Sequence, residues 1–166
     1  MEKKYELIKT DTICAYGRTL FRVRYLCDIE NIVAAGDIGG YIEGEYNLSQ
    51  QGNSVVLGDA EVYGNAKVCG DAEVYGNAEV CGDAKVQSTR DYIVFKNFWS
   101  SGRHFTWTRS DNKWTVGCFY GTGEELIAKA YKDSQMKGRE YERVVRYVES
   151  ILEDEKADRK ELTKHT

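Results

Sequence analysis

Side chains of differing reactivity crowd most densely between residues 99 and 125, where Trp99, Arg103, His104, Trp107, Arg109, Lys113 and Trp114 interleave rings with basic groups. Rings can stack on a nucleobase while cations hold its phosphate, so these seven residues form the candidate binding set. The competing reading makes most of the rings a hydrophobic core between sheet and helices. That reading is the stronger for the rings, but a core does not call for five basic residues beside two acidic ones over positions 90–120. Cys118 invites a covalent role, since a thiol near a helix start at Thr122 is acidified by the helix dipole and His104 could take its proton. Nothing in the spacing joins the two. If the strand alternates, Cys118 shares a face with Val116 and reads as a small buried apolar residue. Gly121-Thr122-Gly123 has the glycines of a phosphate cradle at a helix N-terminus. Glu124 and Glu125 would repel the anion, and a helix cap explains the segment. The second histidine, His165, falls in a charged tail. No catalytic residue is assigned. The five cysteines are odd in number and lack a C-x-x-C pair, so neither a disulfide framework nor a metal site is signalled, and no cofactor is expected.

These residues need elements to hold them. Nine of the twenty aromatics lie in residues 92–120. Turn signals at Ser100-Ser101-Gly102 and Ser110-Asp111-Asn112 divide this stretch into three strands of an antiparallel meander. Thr122-Gly123-Glu124-Glu125 is a capping box for an amphipathic helix running to about Ser134. Gly138 separates it from a second helix, whose apolar stripe is Tyr141, Val144, Val145, Val148, Ile151 and Leu152. From Glu153 the chain is nearly all charge and reads as a frayed tail. Two strand-like runs, Tyr5–Lys9 and Leu20–Leu26, precede everything else.

The middle of the chain repeats. From Gly58 it spells G-D-A-E-V-Y, G-N-A-K-V-C, G-D-A-E-V-Y, G-N-A-E-V-C and G-D-A-K-V-Q without an insertion. Valine recurs at 56, 62, 68, 74, 80 and 86, with alanine at 60, 66, 72, 78 and 84. A period of six fits a short strand and a tight turn, with one aliphatic and one small side chain facing inward. The 16 glycines and the absence of proline agree with such turns, because every main-chain N–H stays available as a donor. Charge is uneven: residues 30–89 carry two basic and ten acidic side chains, so the middle repels phosphate.

The hexads resemble the hexapeptide-repeat left-handed β-helix, in which three hexads make a coil of 18 residues. The fold class this implies is mainly β: a short left-handed parallel β-helix of about three coils, an N-terminal strand cap, and a C-terminal α+β module of antiparallel meander plus two helices. The segments are 1–31, 32–90, 91–155 and a charged tail at 156–166. Coil stacking would set Asn65 beside Asp83, Asn53 beside Asp71, and Glu61 beside Glu79. The best-known enzymes of that class are acyltransferases that use a histidine in or near the repeats as general base. Neither histidine here lies in the repeats, so acyl transfer is the weakest reading.

The whole chain is similar to small phage and prophage proteins that pair an Ile-Gly-Gly-Tyr-Ile-Glu entry (Ile38–Glu43) with hexads and an aromatic tail, here Trp107–Leu126. That resemblance implies a non-enzymatic accessory protein, cytoplasmic in the host cell, that binds and inhibits a bacterial defence component. Nucleotide or nucleic-acid capture is the alternative. A homo-oligomer, a trimer by resemblance, is expected through Tyr63, Tyr75, Tyr141, Val144, Val148 and Ile151. No apolar run reaches the length of a membrane span.

Overall fold

The computed structural model describes residues 2–164, so His165 lies outside the described residues. The chain opens with a long antiparallel hairpin of β1 (Tyr5–Ala15) and β2 (Arg18–Tyr25). Its turn residues Tyr16 and Gly17 both take positive φ, 50° and 77°, the geometry of a two-residue hairpin turn. Glycine takes this conformation freely, but a tyrosine there carries backbone strain. The register jumps, with Ile8 opposite Arg22 and Thr12 opposite Phe21, so Lys9–Asp11 bulge out. A bulge bends its strand. The outer half of the hairpin packs on the repeats, where Ala15 and Leu20 cluster with Tyr41, Tyr63 and Cys81.

After β3 (Ile38–Ile42) the hexads form six two-residue strands: β4 (Val55–Val56), β5 (Glu61–Val62), β6 (Lys67–Val68), β7 (Glu73–Val74), β8 (Glu79–Val80) and β9 (Lys85–Val86). Each ends on a valine buried to 1% exposure or less, and the alanine before each strand from β5 onward is equally hidden. Pairing is parallel between strands 18 residues apart: Val56 with Val74, Val62 with Val80, Val68 with Val86. Asn65 Nδ2 donates to Asp83 at 3.0 Å and Asn53 Nδ2 to Asp71 at 3.4 Å, so an amide stands beside each of these carboxylates. Lys67 faces Lys85 and Glu61 faces Glu79.

The expected mainly-β fold, a parallel β-helix of stacked coils, is not what these sheets form. The largest sheet has the order β1-β2-β3-β5-β8 and is mixed, antiparallel through its first two pairings and parallel through its last two. The other hexad strands make only two-stranded pairs, β4-β7 and β6-β9. With two helices, one of them long, the architecture is α+β with antiparallel and mixed sheets. The physical reason lies at β3, whose outer edge would otherwise offer unpaired backbone groups. The hairpin occupies that edge, and its antiparallel pairing with β3 makes the sheet mixed.

The C-terminal sheet has four strands where three are expected: β10 (Tyr92–Lys96), β11 (His104–Thr108), β12 (Lys113–Val116) and β13 (Phe119–Gly121), antiparallel in that order. The additional turn is Gly117-Cys118, with Gly117 at φ 57°. Alternation gives this sheet two employed faces. Ile93, Phe95, Phe105, Trp107, Trp114, Val116 and Phe119 pack toward the helices. Tyr92, Val94, Thr106, Thr115 and Tyr120 face the hexads: Thr106 Oγ1 accepts from Glu79 N at 2.9 Å, and Thr115 Oγ1 lies 3.3 Å from Cys81 Sγ.

Helix α1 (Gly123–Asp133) starts at the expected capping box: Glu125 N donates to Thr122 Oγ1 at 3.2 Å and Thr122 N to Glu125 Oε2 at 2.7 Å. The break before α2 (Gln135–Lys164) falls at Ser134, not at Gly138. Ser134 N closes α1 on Ala130 O, and Ser134 Oγ accepts from Lys137 N. Gly138 lies inside α2 because the Tyr131 ring occupies the space a Cβ would need. The expected frayed tail from Glu153 is helical to Lys164. Part of the reason is an anchor beyond the apolar stripe: Arg109 donates to both Glu155 oxygens, at 2.8 and 3.1 Å. No helix among the described residues is long and apolar enough to cross a membrane.

Candidate functional site

The β10–β11 turn presents the most exposed rings of the molecule. Asn97 is buried, and its Oδ1 accepts from Trp99 N at 3.0 Å and Ser100 N at 2.9 Å, while its Nδ2 donates to Ser100 Oγ at 2.9 Å. This side chain replaces the backbone pairing that the turn gives up. The turn so fixed leaves Phe98 85% and Trp99 67% exposed. Met136, Arg139, Glu140 and Arg143 of α2 border the same hollow of about 390 Å³. Arg139 and Arg143 form no ion pair among the described residues, and Glu140 Oε2 is buried with no hydrogen-bond partner.

A second feature is a groove along the seam between the hairpin tip, the hexad turns and the β12–β13 turn. One cavity there measures about 540 Å³, and an adjoining one of about 420 Å³ shares Tyr16, Gly117 and Cys118 with it. Tyr16 packs on Tyr63 with ring centroids 5.9 Å apart and planes tilted by 35°, and its hydroxyl donates to Glu79 Oε2 at 3.4 Å. The Glu79 carboxyl is pushed up to about 7, first by burial and then by the like charge of Glu61 opposite; the Tyr16 hydrogen bond and Arg103 act against the shift. Burial, with Asp59, also raises Glu61.

The Glu79 pKa in the folded chain lies above the unfolded value, so the folded state holds the proton more tightly. The contribution of this group to stability is full below about pH 4.5 and is lost as pH rises through about 7. For this half-buried group the loss is about 1–2 kcal/mol once solvent screening is allowed for. Urea unfolding at pH 5 and pH 8 should show it, and Glu79→Gln, which retains an acceptor for Tyr16, should flatten the difference. An unchanged difference in that variant would place the pH dependence elsewhere.

The structure scatters the seven candidate binding residues. Trp107 and Trp114, 4% and 2% exposed, lie in the core against the helices and cannot stack a ligand ring. Trp107 Nε1 donates to Asn112 Oδ1 at 2.9 Å. Arg109 is occupied by Glu155 and by the Arg90 carbonyl. Lys113 opens β12 opposite Thr108. Arg103 and His104 border the smaller seam cavity with Glu79, away from Trp99. Only Trp99 joins the exposed turn surface. Cys118 corrects its expectation, since the Gly117-Cys118 turn breaks the alternation and leaves the thiol exposed. Among the described residues no hydrogen bond joins it to His104.

The residues expected at an oligomer interface divide similarly. Tyr141 and Val148 are core residues, with Tyr141 edge-on to Phe105 at 4.6 Å between centroids. Val144 and Ile151 are half-buried, Val144 against the same core. Tyr63 is covered by the hairpin tip, while Tyr75 stays 57% exposed. Sequence reasoning missed Phe98, Met136, Arg139 and Arg143, although Asn97 ahead of Phe-Trp-Ser-Ser-Gly is a turn signal carrying two rings. It also missed Tyr16, Tyr46 and Tyr120, which come from three separate parts of the chain. Comparison with protein-family models, curated proteins and solved structures finds no match to this chain.

Proposed function

We propose that this chain is a non-enzymatic binding protein that recognises an acidic surface of a protein partner through Phe98, Trp99, Met136, Arg139 and Arg143. The observation that carries this reading is the turn locked by Asn97, which fixes the backbone presenting two large rings to solvent, so that binding need not order the loop. Aromatic residues, methionine and arginine are the types enriched at interface cores. The two arginines that form no ion pair among the described residues favour a carboxylate-bearing partner. In the phage setting that the sequence resembles, the partner is a bacterial defence component inhibited by being occupied. The nucleotide alternative loses support because Trp107 and Trp114, the rings it needs, are buried.

The test is affinity purification from a bacterial lysate with wild-type, Phe98→Ala, Trp99→Ala and Arg139→Ala/Arg143→Ala chains. A protein retained by the wild type and lost from all three variants supports the reading. Equal retention by all four overturns it.

A further inference from the structure

We infer a second binding site, independent of the Phe98–Trp99 surface: the seam groove takes a neutral, polyhydroxylated ring ligand, a short oligosaccharide. Its lining includes the hexad turns at Gly64 and Gly82, stacked one on the other. The Tyr120 ring lies against Gly82, and its hydroxyl donates to Asp111 Oδ2 at 2.6 Å. Tyr46 stands 57% exposed at the Gly64 end, where Glu43 Oε2 accepts from Gly64 N at 2.8 Å. The C–H face of a sugar ring packs on such aromatic surfaces, and its hydroxyls pair with planar polar groups.

Those polar groups are present and already fixed. Asn65 is bonded to Asp83, and Arg18 donates to both Glu43 oxygens at 2.8 and 2.9 Å. Held this way they keep free donor and acceptor positions and lose little entropy when a ligand arrives. Charge decides the ligand class. Charges of both signs line the two cavities, Asp83 and Glu79 against Arg18 and Arg103, so neither a phosphate nor an ammonium group finds a lining of one opposite sign. A neutral ligand needs no such lining. Two contiguous cavities of about 540 and 420 Å³ suit a chain of rings better than a single one.

Calorimetric titration of the full chain with maltotriose, cellotriose and chitotriose, and with AMP and choline as charged comparators, tests this. At least one trisaccharide should bind, with affinity lowered about tenfold by Tyr46→Ala and by Asn65→Ala, and unchanged by Trp99→Ala. Tyr46 is exposed, so its replacement spares the fold, and circular dichroism checks this. Absence of trisaccharide binding at millimolar concentration overturns the inference. So does binding indifferent to Tyr46→Ala and Asn65→Ala, or preferential binding of AMP or choline.

Discussion

Trp114→Ala is expected to lower the stability of the chain by about 3–5 kcal/mol, the range for removing a buried large aromatic side chain. The ring lies between the C-terminal sheet and the helices, with Phe95 and Phe105 centroids each 6.5 Å away. Its indole nitrogen sits under Gly123 at the start of α1. A close-packed interior relaxes only partly around such a void. Chemical denaturation measures the loss. A change below about 0.5 kcal/mol, the range of ordinary surface substitutions, would return Trp114 to the surface and revive a stacking role for it.

The second large effect runs the other way. Trp99→Ala should leave stability within about 0.5 kcal/mol of wild type, because two-thirds of the ring is in solvent and the Asn97 bonds that hold the turn go to backbone N–H groups. It should instead weaken the protein partner by at least about 2 kcal/mol, some thirtyfold in dissociation constant. Surface plasmon resonance on the captured partner reads this directly. If Trp99→Ala loses stability and keeps affinity, the ring is a packing element and the turn is not a recognition surface. The two tryptophans, fifteen residues apart in one aromatic block, thus separate stability from binding.

That contrast marks what could be read from the chain. The six-residue period places every hexad valine and alanine inside and every hexad glycine at a turn, because a two-residue strand and a left-handed turn leave few other arrangements. Pairing at 18 residues follows from it, as Asn65 and Asp83 show. The architecture was not legible, since it depends on where a non-repeating hairpin goes. The bulge at Lys9–Asp11 has no strong sequence signature, yet it accompanies packing of the hairpin tip on Tyr63 and Cys81, and the antiparallel pairing of β2 with β3 makes the main sheet mixed.

The candidate site was legible in proportion to its locality. Trp99 belongs to a turn whose residues are contiguous, and the structure leaves its ring exposed. Trp107 and Trp114 share its composition but sit on the strand face that alternation sends to the helices. One added turn at Gly117-Cys118 reversed the expected environment of Cys118. The seam groove joins residues from Tyr16 to Tyr120, and no local pattern announces it. One anchor of α2 beyond its apolar stripe is Arg109 bonded to Glu155, a pairing 46 residues apart.

The most direct test of the account is hydrogen–deuterium exchange on the chain bound to its captured partner, compared with the free chain. New protection should centre on residues 97–101 and 135–143, with the hexads between 55 and 87 unchanged. Protection confined to the hexads, or to the outer hairpin around Tyr16, would contradict the assignment of the Phe98–Trp99 turn as the recognition surface.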